Sequence, residues 1–324
     1  MKFVAWMAHH LESREIVDDY IRRVSDSLHG NEFVICEDKD SIKREIVDAD
    51  VLICWRVTPE VFACAKKLKW IQFGSAGVDH TIFPELLESN IICTTMSGIH
   101  TIPVAEHVIA VMLTLTRRLD FAFKLQIERR YERAEIAWTA GELSSKTIGI
   151  IGLGKIGLAI ARLAKAFGMR VVGTKRTLTE ALPNVDQVFA ADDLDQMLPE
   201  VDYLVLVVPL TEGTRELIGS REIALMKDGS YLVNVARGAM VDHDALGDAL
   251  QSGKLAGAAL DVFPQEPLPS DSPIYDFPNL ITTPHTAAAS RGYSERAAEV
   301  FRHNLEAFTT DGEMMNVYDR KRGY

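Results

Sequence analysis

The chain has 324 residues, a length that favours two domains of ordinary size over a single core. Its 47% hydrophobic and 25% charged residues are typical of a globular protein rather than a disordered or fibrous one. The formal net charge of -11 argues against nucleic acids and anionic membranes as partners, because both would repel an acidic chain.

The first third of the chain alternates short apolar runs with polar, helix-like segments. The runs are "FVAW", "FVIC", "VLICW", "WIQFG" and "IICTT". This alternation predicts βαβ units and therefore a parallel sheet. The first run is soon followed by charges, which indicates a strand rather than a signal peptide, so we expect a cytoplasmic protein.

The four cysteines predict neither a disulfide nor a metal site. Cys36, Cys54, Cys64 and Cys93 form no C-x-x-C pair and have no metal-ligand spacing with histidines. Three of them lie in or beside apolar runs, where a reduced cysteine behaves as a small hydrophobe. We therefore expect free thiols and no bound metal.

An apolar segment, residues 102–119, predicts a helix that is buried or at an interface, with Thr101 as its N-cap. The segment contains Glu106 and His107 and is too short to span a bilayer. We expect His107, like His100, to be structural.

A second series of strands follows this helix. The runs are "TIGII", "RVVG", "YLVLVV", "YLVNVA", "AALDVF" and "LITT", with helix-like segments between most of them. The tail from about Arg291 again has apolar residues at helical spacing. The βα rhythm thus continues and predicts a second parallel sheet.

The sequence "IGIIGLGKIG" places Gly152, Gly154 and Gly157 between a predicted strand and a predicted helix. In a dinucleotide site, these glycines permit the tight turn, the approach of the backbone to a diphosphate, and close helix packing. The N-terminus of the following helix presents N–H groups to the diphosphate. The motif and its context predict a dinucleotide-binding unit.

The next strand ends in "TKRT", at the place where sites for NAD carry an acid for the ribose 2'-OH. Lys175 follows Gly157 by 18 residues, and Arg176 comes next. Both could pair with a 2'-phosphate, with Thr174 and Thr177 adding hydroxyl contacts. We predict a preference for NADP(H), with NAD(H) possible if the two basic side chains are solvated.

Three further segments with polar groups follow later strands, where the ligands of an open parallel sheet collect. Arg237 could bind a substrate carboxylate and polarise the neighbouring carbonyl. His285, as imidazolium, could donate a proton to that carbonyl, and Glu266 could hold the ring and raise its pKa. Asp261 lies on the same strand end as Glu266. This set predicts reduction of a 2-oxo acid.

The whole pattern resembles the D-isomer-specific 2-hydroxyacid dehydrogenase family. The similar segments include "FGSAGVDH", "SGIHTIPVAEHVIAVMLTLTR", "GELSSKTIGIIGLGKIG", "VVPLTEGTRELI", "MKDGSYLVNVARGAMVDHDAL", "GAALDVFPQEPLP" and "PNLITTPHTAAAS". The resemblance implies an α/β protein in which a Rossmann-type, doubly wound cofactor domain is inserted in a smaller flavodoxin-like substrate domain. The expected bounds are residues 1–99 and 292–324 for the substrate domain and 100–291 for the dinucleotide-binding domain.

The resemblance also assigns site residues. The family's catalytic arginine, glutamate and histidine fall on Arg237, Glu266 and His285. Backbone amides of Ser75, Ala76 and Gly77 would bind the substrate carboxylate, together with Arg237 and His285. Asp261 would face the nicotinamide amide. The expected cofactor-binding residues are Thr101, Gly152, Leu153, Gly154, Lys155, Ile156, Gly157, Thr174, Lys175, Arg176, Thr177, Val208, Pro209, Thr214, Val235, Ala236, Arg237, Asp261, His285 and Ala287.

The family usually dimerises through its cofactor domains, so the resemblance implies a homodimer. Its NADP-preferring, glyoxylate and hydroxypyruvate reductase-like branch fits the basic "TKR" segment. Three alternatives stay open: an NAD(H)-preferring dehydrogenase of the same kind, a relative that oxidises formate or phosphite, and a cofactor-sensing interaction protein similar to the family's corepressors.

Overall fold

A computed structural model describes residues 1–7, 14–79, 81–177, 181–321 and 323. The chain divides into two compact units. Unit 1 comprises Met1–His100 and Ala289–Tyr324, and unit 2 comprises Thr101–Ala288. The domain bounds expected from the sequence differ from these by one to three residues. Residues 322 and 324, at the end of the expected substrate domain, lie outside the described part.

Strands and helices alternate along most of the chain. The strands are β1 (Lys2–Trp6), β2 (Glu32–Ile35), β3 (Val51–Cys54), β4 (Trp70–Phe73), β5 (Ile92–Thr94), β6 (Thr147–Ile151), β7 (Arg170–Lys175), β8 (Gln187–Ala190), β9 (Tyr203–Leu206), β10 (Ser230–Asn234), β11 (Leu255–Leu260) and β12 (Leu280–Thr282). The α-helices are α1 (Arg14–Ser27), α2 (Lys39–Glu45), α3 (Pro59–Phe62), α4 (Pro84–Glu88), α5 (Thr101–Thr116), α6 (Leu119–Ile127), α7 (Arg133–Ala137), α8 (Lys155–Ala166), α9 (Leu194–Met197), α10 (Ser220–Leu225), α11 (His243–Ser252) and α12 (Tyr293–Thr310).

Unit 1 contains a five-stranded sheet in the order β2-β1-β3-β4-β5, with every neighbouring pair parallel. This is the strand order of the flavodoxin-like fold. β3 and β4 are buried along their whole length, as expected of central strands covered on both faces. The structure thus confirms the fold that the resemblance implied for this unit.

The last helix of the chain, α12, joins the core of unit 1. The ring of Phe301 on α12 stacks on Trp70 of β4, with ring centroids 5.5 Å apart. Asn304, also on α12 and fully buried, donates a hydrogen bond to Oε1 of Gln72 at 3.1 Å. A buried amide needs such a partner, so this contact fixes where α12 packs.

Unit 2 contains a seven-stranded parallel sheet in the order β12-β11-β10-β9-β6-β7-β8. From β8 to β11 this is the Rossmann strand order, and β12 extends it. Chain order reverses between β6 and β9, which makes that junction the topological switch point. The structure confirms the predicted Rossmann-type, doubly wound sheet.

Three features of unit 2 differ from the sequence prediction. Strand β8 was not predicted, because "QVFA" is short, forms the edge of the sheet and is partly exposed. Thr101 is the first residue of α5 rather than its N-cap. Two short helices, α6 and α7, follow α5 where the sequence indicated no defined element.

Candidate active site

Because the strands of unit 2 are parallel, the loops after them meet at one edge of the sheet, here called the carboxyl edge. Along this edge the strand order places the loops after β12, β11 and β10 next to one another, then those after β9, β6 and β7. From β10 to β7 this edge spans three strand spacings, about 14 Å at ~4.8 Å each. An extended ligand could therefore contact both groups of loops.

The glycine turn lies at the switch point, between β6 and α8. Gly152 has a left-handed backbone with φ of 107°, and a Cβ there would lie 2.6 Å from Cγ1 of Val208. A Cβ on Gly157 would collide with the carbonyl oxygen of Gly152. Both positions therefore require glycine, one for its conformation and one for the close approach of α8 to the turn. The contact also brings Val208 against the turn.

The turn fits a bound diphosphate. Gly154 precedes α8 as its N-cap, and a Cβ built on it would meet no atom within 4 Å in the described part of the chain. The first turn of α8 contains no acidic residue. N–H groups in the first turn of a helix lack intrahelical acceptors, so they can bind an anion placed in that open space.

The basic strand end lies beside this turn. The N–H of Leu153 donates to the carbonyl of Thr174 at 3.0 Å, which ties the end of β7 to the glycine turn. Lys175 is partly buried, whereas Arg176 and Thr177 are exposed. Thr174 is buried in the sheet, unlike the other three residues of "TKRT". Among the described residues 174–177, the side chains that face solvent are thus two bases and one hydroxyl, with no acid.

The loop after β9 is closed by its own hydrogen bonds. The hydroxyl of Thr214 donates to the carbonyl of Pro209 at 2.8 Å. The N–H of Thr211 donates to the same hydroxyl oxygen at 2.8 Å. Pro209 and Thr214 therefore belong to one compact loop at the carboxyl edge, next to the glycine turn.

Arg237 follows β10 and is held at both its backbone and its side chain. The amide of Asn234, a fully buried residue, donates to the carbonyl of Arg237 at 2.9 Å. Nη1 of Arg237 donates to the carbonyl of Ala236 at 2.8 Å. A Cβ on the next residue, Gly238, would collide with the backbone of Phe263. The absence of that Cβ lets the Arg237 loop pack directly on the loop after β11.

Glu266 and His285 form a pair within the same group of loops. Nδ1 of His285 donates to Oε2 of Glu266 at 2.6 Å, and the N–H of Phe263 donates to Oε1 at 2.9 Å. The side chain of His285 is 46% exposed. Because Nδ1 is engaged, Nε2 is the ring nitrogen left to face a ligand.

The contact between His285 and Glu266 shifts the pKa of both side chains. The hydrogen bond that His285 donates to Glu266 raises the pKa of His285 above its usual value, against burial and the charge of Arg237. Burial would raise the pKa of Glu266, but the hydrogen bonds from His285 and from the Phe263 N–H lower it instead. The charge of Arg237 lowers the pKa of both groups, so it favours the carboxylate and opposes the imidazolium. The hydrogen bond outweighs this effect on His285 and favours an imidazolium beside a carboxylate.

The turn that carries His285 is anchored by Asp261. His285 has a left-handed backbone with φ of 52°, a conformation that costs a non-glycine residue about 1–2 kcal/mol. Its N–H donates to the carbonyl of Asp261 at 2.8 Å. The Asp261 carboxylate, 2% exposed, accepts from the N–H of Thr286 at 2.8 Å and of Ala287 at 2.9 Å. This carboxylate therefore binds the turn, and the nicotinamide contact that the resemblance implied for Asp261 stays a prediction.

Thr283, which the sequence did not single out, and His107, which was expected to be structural, join this anchor. The hydroxyl of Thr283 donates to Oδ1 of Asp261 at 2.6 Å and lies 3.2 Å from Nε2 of His107 on α5. Burial holds the pKa of His107 below its usual value, against the opposing effect of Asp261. No local pattern links residues 107 and 283, so only the fold could reveal this contact.

The remaining predicted substrate residues lie in unit 1. Ser75, Ala76 and Gly77 follow β4, at the carboxyl edge of its sheet, and each is partly buried. The carbonyl of Ser75 accepts from the N–H of Met96 at 2.9 Å. The hydroxyl of Tyr293 donates to the carbonyl of Gly74 at 2.7 Å, which holds the start of the loop.

Neither a metal centre nor a membrane span emerges within the described ranges. Among those residues, no group of three or more histidine, cysteine, aspartate or glutamate side chains is placed to hold a metal ion. No helix in the same part of the chain has the length and hydropathy needed to cross a membrane.

Comparisons with known proteins show which proteins this chain is similar to. The family model described as "D-isomer specific 2-hydroxyacid dehydrogenase, NAD binding domain" matches residues 109–287. The chain is 34% identical to a glyoxylate reductase of Thermococcus onnurineus, over 97% of this chain and 98% of the relative. It is 36% identical to a glyoxylate reductase of Thermofilum pendens, over 85% and 83%.

The solved structures that are similar over the whole length of the chain include a reductase. It is an NADPH-dependent glyoxylate/hydroxypyruvate reductase of Sinorhizobium meliloti in complex with NADP and sulfate. The match has a TM-score of 0.85 and 26% sequence identity, and it covers 100% of this chain and 99% of the other.

Proposed function

The chain belongs to the D-isomer specific 2-hydroxyacid dehydrogenase family and is an oxidoreductase, and we propose that it reduces small 2-oxo acids to D-2-hydroxy acids with NADPH. The observation that carries this proposal is the 2.6 Å hydrogen bond from Nδ1 of His285 to Oε2 of Glu266, with Arg237 on the loop that packs against the loop after β11. All three follow strands at the same edge as the glycine turn.

The proposed chemistry divides between these side chains. The guanidinium of Arg237 binds the carboxylate of the 2-oxo acid and polarises its carbonyl. The imidazolium of His285 donates its Nε2 proton to the carbonyl oxygen, which becomes the hydroxyl of the product. Glu266 keeps the ring oriented and charged through Nδ1. A bound nicotinamide would supply the hydride that reaches the carbonyl carbon. In unit 1, the N–H groups of the Ser75–Gly77 loop are proposed to bind a substrate carboxylate.

The proposed cofactor is NADP(H). The diphosphate would bind at the glycine turn and the first turn of α8, where a Cβ-sized space is open above Gly154. Lys175 and Arg176 would pair with the 2'-phosphate, because the Leu153 to Thr174 hydrogen bond sets their strand end beside that turn. The similar reductase of Sinorhizobium meliloti was solved with NADP, which supports this choice.

Glyoxylate and hydroxypyruvate are the first substrates to test, since similar proteins carry those names. We expect the purified protein to oxidise NADPH with glyoxylate, hydroxypyruvate or a branched-chain 2-oxo acid, followed by absorbance of the reduced cofactor. Formate and phosphite are offered with NADP⁺ and NAD⁺ in parallel. Turnover of formate or phosphite alone would replace the proposed reaction. Tight dinucleotide binding with no turnover of any compound would favour a cofactor-sensing protein.

We also propose that the protein is a homodimer joined through unit 2. The segment from α6 to just beyond α7 exposes several large apolar side chains, Leu119, Phe123, Ile127, Tyr131 and Trp138. Ile127 and Trp138 are 84% and 89% exposed, which is unusual for such residues on one contiguous segment. A second copy of this chain, joined through the cofactor domains, is the partner that the family resemblance favours.

Sedimentation of the purified chain tests this proposal. We expect twice the mass of one chain for the unaltered protein and a monomer for Phe123→Glu with Ile127→Glu, because two carboxylates would have to be buried. Ile35→Glu serves as control, since Ile35 is an isolated exposed apolar residue on β2, the edge strand of unit 1. An unaltered protein that sediments as a monomer would overturn the proposal.

A further inference from the structure

We propose that His107 and Thr283 are positioning residues for the reaction, holding the His285 turn through the carboxylate of Asp261. This inference deepens the proposed function and rests on the proton-donor role of His285 given there. His107 and Thr283 lie far apart in the sequence, and neither is assigned a role by the resemblance.

The direction of the hydrogen bonds follows from the number of protons. The Thr283 hydroxyl has one proton, and the 2.6 Å contact uses it to donate to Oδ1 of Asp261. Its oxygen can therefore only accept from Nε2 of His107, 3.2 Å away. A continuous chain of donors thus runs from α5 to the buried carboxylate.

The Asp261 carboxylate in turn holds the turn that carries His285. Its two oxygens also accept the N–H groups of Thr286 and Ala287, on the far side of His285 from Thr283. His285 lies between these anchored residues in a left-handed conformation. Such a conformation persists only where the surrounding contacts determine it. Loosening the carboxylate would let the turn relax and move the imidazole away from Glu266.

His107 is suited to fix this carboxylate in place. α5 belongs to the core of unit 2, with Val108, Met112 and Leu115 buried against the sheet. The helix is therefore a rigid support, and its histidine reaches the network at the end of β12. A neutral imidazole can donate from Nε2, so the contact requires no charge on His107.

Removal of either donor should affect catalysis more than substrate binding. We expect Thr283→Val and His107→Phe each to lower kcat about tenfold with little change in KM, as one donor to a buried acceptor is lost. Combining the two should add little further loss, because both act through one hydrogen-bond chain. Thr283→Ser and His107→Gln keep a hydroxyl and an N–H, so they should restore most of the kcat.

A proton NMR titration of His285 gives a readout independent of turnover. In Thr283→Val and His107→Phe, its pKa should fall towards the ordinary value, because the hydrogen bond with Glu266 that raises it is weakened. His243→Phe is the matched control: this half-buried histidine of unit 2 lies at the start of α11 and should leave both kcat and the titration unchanged. Thermal melting of every variant separates loss of folding from loss of positioning.

An unshifted His285 titration, additive kcat losses, or a Thr283→Ser variant as impaired as Thr283→Val would each overturn the inference. These outcomes are distinct from failure of the proposed function. If no 2-oxo acid is reduced, the titration still reports whether His107 and Thr283 hold the His285 turn. If reduction occurs and the titration does not move, only the positioning role is wrong.

Discussion

Replacing His285 by alanine is expected to lower kcat for 2-oxo acid reduction by about 10²- to 10⁴-fold, the usual contribution of a general acid. The loss follows from the geometry, since Nδ1 is held by Glu266 at 2.6 Å and Nε2 is the remaining proton donor. Steady-state kinetics with NADPH measure it, and fluorescence titration should show that dinucleotide binding is kept. His29→Ala, which removes an exposed histidine of unit 1, should behave as the unaltered protein. Full activity of His285→Ala would assign the proton donor elsewhere.

The pH dependence of the same reaction tests the pair as a unit. Reduction consumes the imidazolium proton, so kcat should be high below the pKa of His285 and fall as pH rises through it. Glu266 is the main cause of the raised pKa, so Glu266→Gln should move this fall to lower pH. Asp271→Asn makes the same chemical change at an exposed site in the same loop and should leave the profile in place. Identical profiles for Glu266→Gln and the unaltered protein would contradict the pairing.

The second large effect concerns cofactor choice. Lys175→Asp combined with Arg176→Ala should lower the ratio of kcat/KM for NADPH to that for NADH by about 10²- to 10⁴-fold. Two charge-assisted hydrogen bonds of about 1.5–3 kcal/mol each account for this range, with tenfold per 1.4 kcal/mol. The introduced carboxylate would also repel a 2'-phosphate while accepting a hydrogen bond from a 2'-OH.

The matched control for this change is Lys146→Asp. Lys146 is exposed and precedes β6, so it lies at the opposite edge of the same sheet. It undergoes the same charge reversal as Lys175 without reaching the carboxyl edge. We expect the ratio of kcat/KM for NADPH to that for NADH to be the same in Lys146→Asp as in the unaltered protein. A ratio that stays constant in the double variant would show that the two bases are solvated loop charges, and the dehydrogenase would then have no predicted preference.

Most strands of both sheets could be predicted from the sequence because each is a short apolar run bounded by polar segments. "TIGII" corresponds to β6 residue for residue. Strand β8 was not predicted because an edge strand buries only part of its surface, so its sequence has a weak apolar pattern. The helices α6 and α7 were not predicted because only Leu125 of their residues is buried, so their apolar residues do not form a periodic face towards a core.

The candidate site also contains some features that the sequence predicts and others that only the fold reveals. The glycine motif and the basic strand end are local features, so their residue types and spacing could be read directly. Arg237, Glu266 and His285 could be proposed from chemistry and from the expectation that parallel strands end at one edge. The part that Asp261 plays in holding the His285 turn could not be predicted, because its carboxylate accepts hydrogen bonds from residues more than twenty positions away.

The sequence by itself therefore determined the α/β class, the dinucleotide motif and the chemical groups available for reaction. These depend on residue type and on periodicity within a few residues. Only the tertiary structure decided which groups act together: Gly238 against Phe263, Thr174 beside Leu153, and His107 against Thr283. The physical reason is that strand order brings such distant segments together, and their packing and hydrogen bonds depend on the whole sheet rather than on any local pattern.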